Sequence, residues 1–365
     1  MKREAGIELL RCILMLMIVL VHLTGNGALK SDAPLSYTEP NWLWANLVDS
    51  ICYPAVNTFV LISGWFGIRL SIEKVAKLEI PVIFYSVILF LLFDTLTLGG
   101  AITAVLPVIT KRYWFLTAYF LLMLVSPFLN SYISSRTREE LIMVLLWALL
   151  LFVVIPSFSP HYRMADNRGM DVVNFCVLYL VGRCLNVLNV KLSVAKSLSL
   201  YIVSTALIFG LTVFFAYKFG INRGWKSFFF SYNNVLVYIQ AICLFFLFKQ
   251  VKIRDVLGKI LNWLAPSFFF VYIIHSCPSI GNKLYIWISS ADYYYSSFFV
   301  LHTVGWAITI FTVCIIIDIV LRRVILKPVI DKAVNIVQSV YYCTKQKINI
   351  NNNETYSKDR EDIVI

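Results

Sequence analysis

Residues 6–24 read GIELLRCILMLMIVLVHLT. At about 1.5 Å per helical residue this stretch covers roughly the 30 Å hydrocarbon core of a bilayer, and only Glu8, Arg11 and His22 interrupt it with an ionisable group. Working outward, similar apolar runs bounded by charged or Gly-, Pro- and Asn-rich breaks fall at 51–71, 80–98, 113–133, 141–158, 171–188, 198–217, 233–249, 260–277 and 298–321, which makes about ten spans. Composition agrees. The 365 residues are 59% hydrophobic and only 14% charged, with mean hydropathy +0.77. Soluble domains carry about 25% charged residues, so this chain lacks the polar surface to meet water on all sides. A soluble globule, a disordered chain, a collagen and a disulfide scaffold are excluded. The expectation is an all-α, polytopic integral membrane protein.

The net charge of +12 is largely topological. With the N-terminus inside, 22 of the 32 Lys and Arg fall on inner segments and 9 on outer ones, and removing the basic C-terminal tail still leaves 14 against 9. Both termini are therefore expected in the cytoplasm, and nucleic acid is not an expected partner. Lys2 and Arg3 ahead of an apolar stretch could also open a secretory signal, but Glu8 and Arg11 would break its apolar core, so the first span reads as retained. The membrane domain is expected over 1–340. Residues 341–365, rich in Asn, Lys, Glu and Asp, read as a polar disordered cytoplasmic tail. The eight cysteines are scattered without a CxxC pair, which argues against a zinc site or disulfide framework, and no metal is expected.

Ionisable groups within spans are costly, so each asks for a partner or a job. Glu8 and Arg11 are three apart and can pair along one face of the first helix. Eleven residues separate Arg11 from His22, which at 100° per residue sets both on one face about 16 Å apart. Arg11 could equally snorkel to the headgroups, and His22 could satisfy an interhelical hydrogen bond. His275, in VYIIHSCP, should lie at a depth comparable to His22. Ser63 and Gly64, in FVLISGWFG, could line a site or form a close helix contact, and Tyr113 and Trp114, in RYWFLTAYF, could bind substrate or belong to an interfacial aromatic belt. Asn57, Asp94, Gln240, His302 and Asp318 are further polar positions without a specific role.

The order of these motifs resembles a known family. Arg11 and His22 in the first span, SG-aromatic ending the second, Arg69, Lys74 and Lys77 before Pro81, WFLTAY opening a later span and YIIH near the end are similar to the membrane-bound acyltransferase-3 family. The resemblance covers about residues 5 to 325. Within the family the chain resembles the branch that O-acetylates bacterial surface glycans, although it has SGW where SGF is commoner and lysines where arginine is frequent. The resemblance implies a transmembrane acyltransferase domain over 1–340. It implies transfer of an acyl group, usually acetyl, from cytoplasmic acyl-coenzyme A to a carbohydrate hydroxyl in the bacterial cytoplasmic membrane. His22 is then essential and Arg11 important.

The residues suit that chemistry. A thioester is already activated, so the enzyme must make a sugar hydroxyl nucleophilic and hold the reactants together. His22 could remove the hydroxyl proton or carry the acyl group itself, and His275 could serve as second acid or base, orienter or acceptor contact. Arg11, Arg69, Lys74 and Lys77 could hold the coenzyme's phosphates, lysines as point charges rather than forks. Tyr113, Trp114 and Ser63 are the expected acceptor contacts. Acyl-coenzyme A is a co-substrate, and no tightly bound cofactor is expected. A glycan transporter or flippase is the alternative from another class, but neither inverted repeats nor paired broken helices are visible. A polysaccharide polymerase, a third class, generally has a larger outer loop than this chain offers.

Overall fold

The computed structural model describes residues 4–30, 35–159, 168–221 and 228–361. Lys2 and Arg3, which entered the charge count, lie outside them. Regular structure among the described residues is helical, with no strand. In a bilayer every backbone N–H and C=O must find its partner within the protein, and a helix provides one within its own segment. Among the described residues eight helical stretches are long and apolar enough to cross a membrane: Ala5–Gly27, Pro40–Phe66, Ile72–Phe93, Trp114–Ser134, Arg138–Phe158, Val194–Phe219, Asp255–His275 and Phe299–Val324. Two shorter apolar helices, Val172–Val187 and Val235–Lys249, accompany them.

The helices that line or surround the site are α1 (Ala5–His22), α2 (Pro40–Cys52), α3 (Ala55–Phe66), α4 (Ile72–Phe93), α5 (Trp114–Ser134), α6 (Val172–Val187), α7 (Val235–Lys249), α8 (Asp255–His275), α9 (Phe299–Asp318) and α10 (Lys327–Glu361). Helix α1 is central and touches α2, α3, α7, α8 and α9. Its Ile7, Leu10, Leu14 and Val19 are fully buried. The helix α10 packs against α4, buries Val334, and continues past Tyr341 to Glu361, through the segment expected to be a polar tail.

The second span differs from its expected limits of 51–71. It starts at Pro40 and is divided at Tyr53 and Pro54 into α2 and α3. Hydropathy counts Asn46, Asp49 and Ser50 against a span, yet all three are buried. Two return their polar groups to their own helix, Asn46 Nδ2 to the Trp42 carbonyl (2.8 Å) and Ser50 Oγ to the Asn46 carbonyl (2.7 Å).

Helices α3 and α6 meet backbone to backbone. A Cβ on Gly64 would collide with the main chain of Tyr179, and one on Gly182 with the carbonyl of Leu61. Small residues at such a crossing replace the hydrophobic drive that lipid does not supply. Gly64 is therefore the packing residue of the Ser-Gly pair.

Candidate active site

Helix α1 turns Glu8, Arg11, Met15, Ile18 and His22 into one cavity of about 1000 Å³. Their spacing of three, four, three and four residues is that of a single helical face. The volume is at the upper end of small-molecule sites, about 300–1,000 Å³. The opposite walls come from Phe59 and Ser63 of α3, Lys74, Lys77 and Pro81 of α4, Phe115 and Tyr119 of α5, and Phe269 and Tyr272 of α8.

At one end His22 lines the cavity, with His275 buried behind it at 2% exposure. The His22 Nδ1 and His275 Nε2 are 3.0 Å apart, and His275 Nδ1 lies 2.6 Å from the Val271 carbonyl oxygen. A carbonyl only accepts, so in the neutral pair His275 Nδ1 carries the proton and its Nε2 is an acceptor. His22 Nδ1 must then donate, which leaves His22 Nε2 as the unprotonated nitrogen. The Ser276 Oγ sits 3.2 Å from His22 Nδ1 and 3.1 Å from His275 Nε2 and closes the triangle. Immediately after His22 the backbone widens into a π-helical turn, Leu23–Gly27. Thr24 in that turn donates to Asp49 (2.5 Å), which ties the His22 end of α1 to α2.

Part of the cavity wall is aromatic. Tyr53 stacks on Tyr232 (centroids 4.7 Å, 15° between planes), and Tyr232 on Trp114 (5.4 Å, 30°). All three line the cavity.

The other end is cationic. Arg11 Nη1 is 2.6 Å from Glu8 Oε1; the Glu8 carboxylate is 2% exposed and the arginine 31%, so the guanidinium is anchored from behind and open on the cavity side. Farther out stand Lys74, Lys77, Arg322, Arg323 and Lys327. Arg322 forks onto Asp318, Nε to Oδ1 and Nη2 to Oδ2 at 2.7 Å each, and lies 4.5 Å above the Phe270 ring. Asp318 has no exposed surface and also accepts from Tyr85 (3.0 Å). The Arg323 guanidinium lies 4.9 Å over Trp263. The only acids on the lining are Glu8 and Asp331, so the mouth keeps a net positive field among the described residues.

A family model described as an acyltransferase domain matches residues 4–321. The chain belongs to the acyltransferase-3 family. No curated protein and no solved structure matches it. As a membrane acyltransferase of this family it needs a place for an acyl donor and a group that handles the acceptor proton, and the cavity brings together most residues expected to form them. His22, Arg11, Lys74, Lys77, Ser63 and Trp114 line it, and His275 bonds to His22 from behind. Two expected residues stand off it. Arg69 is exposed and meets the site only through its carbonyl, which accepts from Lys74 Nζ (2.9 Å). Tyr113 is buried outside the lining, its ring 6.1 Å from that of Tyr272.

The structure also brings to the site residues that the sequence reading passed over. Ser276 adjoins His275, and Tyr119 falls inside the WFLTAYF stretch already singled out. Arg322 and Arg323 follow Asp318 by four and five residues, the i,i+4 spacing of a helical ion pair. That spacing was the available signal. Lys327 and Tyr232 carried none, because only the fold brings them to the cavity. Among the described residues no group of three His, Cys, Asp or Glu could hold a metal ion.

Proposed function

We propose that this acyltransferase moves an acyl group, foremost acetyl, from acyl-coenzyme A to a hydroxyl of a bacterial surface polysaccharide or its lipid-linked precursor. It works in the cytoplasmic membrane with both termini and the cationic mouth on the cytoplasmic side. One observation carries the reading: His22 borders the cavity with Nδ1 committed to His275, leaving Nε2 as a proton acceptor. Nε2 takes the acceptor hydroxyl's proton as its oxygen attacks the thioester carbonyl. The C–S bond breaks as the ester forms, and His22 returns the proton to the departing thiolate. His275 Nε2 holds the Nδ1 proton of the transient imidazolium. A covalent route through acyl-Nε2 uses the same nitrogen and the same partner.

The two ends of the cavity suit the two substrates. Coenzyme A carries a diphosphate and a 3′-phosphate, which match Arg11, Lys74, Lys77, Arg322, Arg323 and Lys327 at one end. Sugar faces pack on aromatic rings, which supports Trp114, Tyr232 and Tyr53 as the acceptor shelf at the other. Purified protein in liposomes, given radiolabelled acetyl-coenzyme A and cell-surface glycan, tests the reading. Label on the glycan that depends on His22 is the expected result. Glycan movement across the bilayer without thioester consumption would replace it with transport.

A further inference from the structure

Between the imidazole end and the cationic end the cavity wall is mostly apolar, with Met15, Ile18, Phe59, Leu78 and Phe115 along it. A hydroxyl pair interrupts this stretch. Ser63 Oγ and Tyr119 Oη, from α3 and α5, are 3.0 Å apart, and both residues line the cavity. Their position along it follows from a ladder of rings. The His275 ring is 6.4 Å from that of Tyr272, Tyr272 is 5.8 Å from Phe115, and Phe115 stacks at 5.8 Å on Tyr119. Tyr119 is thus three ring contacts from the histidine pair, and it lies within the electrostatic reach of Arg11.

The proton order in the pair has a fixed end. Ser63 Oγ is 3.2 Å from the carbonyl of Phe59 one turn earlier, and a carbonyl can only accept. When Ser63 donates there, Tyr119 donates to Ser63 Oγ, and the lone pairs of Tyr119 Oη stay available to a donor from the cavity. A ligand N–H threaded through an apolar passage would lose its water partners, and leaving it unpaired is costly. An acceptor at this depth answers that need.

Resting on the acyl-coenzyme A reading, we infer that Tyr119, oriented by Ser63, accepts a hydrogen bond from a secondary amide N–H in the donor's pantetheine arm. The arm carries two such amides between its sulfur and its diphosphate, and Tyr119 stands between the group that meets the sulfur and the cations that meet the phosphates. An N-acetyl group on an acceptor sugar offers the same chemistry, but Ser63 is ten residues along the chain from Tyr53 and Tyr119 five along α5 from Trp114, which sets the hydroxyl pair apart from the aromatic shelf along both helices. The pair therefore reads the donor, and it favours an amide-bearing arm over a bare alkyl thioester.

The test compares two ligands without any acceptor, on purified full-length protein in detergent by titration calorimetry. Coenzyme A presents phosphates and arm; adenosine 3′,5′-bisphosphate presents phosphates alone. Tyr119→Phe should weaken coenzyme A by about three- to tenfold, the worth of one neutral hydrogen bond, and leave adenosine 3′,5′-bisphosphate unchanged. Ser63→Ala, which frees the Tyr119 proton to turn into the cavity, should weaken coenzyme A in the same selective way and serves if the phenylalanine variant does not fold. Equal coenzyme A affinity in the variants, or equal weakening of both ligands, overturns the assignment. Wild-type protein that binds neither ligand overturns the donor reading itself, and the assignment with it.

Discussion

His275 fixes the tautomer of His22: one imidazole spends its Nδ1 proton on the Val271 carbonyl and so presents Nε2, 3.0 Å away, to the Nδ1 of the other. A partner that holds a reactive imidazole in one protonation pattern acts on turnover more than on substrate binding.

On the proposed reading, replacing His275 by alanine should therefore lower kcat by about 10²- to 10⁴-fold with little change in KM for the donor, because the general-base step is impaired while the cavity walls proposed to hold the donor are intact. His275→Gln should retain more activity than the alanine variant, since its amide oxygen can accept from His22 Nδ1. Steady-state kinetics on both variants decides; equal activity in the two would mean that the ring is needed for packing alone.

The Asp318–Arg322 fork predicts a stability effect. Asp318→Ala leaves a guanidinium beside Phe270 without its counter-charge, and breaking a buried pair from one side costs about 3–5 kcal/mol. Removing both partners should recover part of that loss. Thermal unfolding in detergent of Asp318→Ala, Arg322→Ala and the double variant gives the coupling, and additive losses would show that the two residues are independent.

The crossing of α3 and α6 predicts a difference between glycines. Gly64→Ala and Gly182→Ala each force a methyl into a facing backbone and should destabilise by about 1–3 kcal/mol. Gly210→Ala has open space around the new Cβ and should be neutral or slightly stabilising. Unfolding temperatures of the three variants check this, and a neutral Gly64→Ala would mean that the helices can part without penalty.

The cationic mouth predicts a donor effect. Arg323→Ala and Lys327→Ala should each raise KM for acetyl-coenzyme A by about three- to tenfold, less than a buried charged hydrogen bond gives because the mouth is open to screening by salt. In the wild type the same KM should climb with ionic strength. A salt-independent KM would remove these residues from donor binding.

Much of this site could be read from the chain alone, for reasons of geometry. The eleven-residue interval between Arg11 and His22 set both on one face, Glu8 paired there with Arg11 by its spacing, and the structure adds Met15 and Ile18 to that face. A helix has a fixed period, so spacing within it is legible. Contacts between helices are less so. Tyr113 and Trp114 are adjacent in sequence, yet Trp114 lines the cavity and Tyr113 is buried outside it, because Tyr113 is the extended residue before α5 and Trp114 the first residue of the helix. Arg69 shares a basic segment with Lys74 and Lys77, but it precedes α4 and does not share the face those two present. The start of the second span was hidden because Asn46 Nδ2 and Ser50 Oγ donate back to carbonyls of their own helix, which hydropathy does not register. Lys327 and Tyr232 depended on chain reversals that no local pattern records.

A passage with its cations at one mouth and its proton acceptor toward the other end has an energetic corollary. On the proposed reading, the polyanionic carrier stays docked at the entrance, and only a small uncharged fragment goes forward into ester linkage. Group transfer then crosses a permeability barrier without moving net charge. The drop in free energy from thioester to oxygen ester supplies the drive, with no call on an ion gradient or on nucleotide hydrolysis.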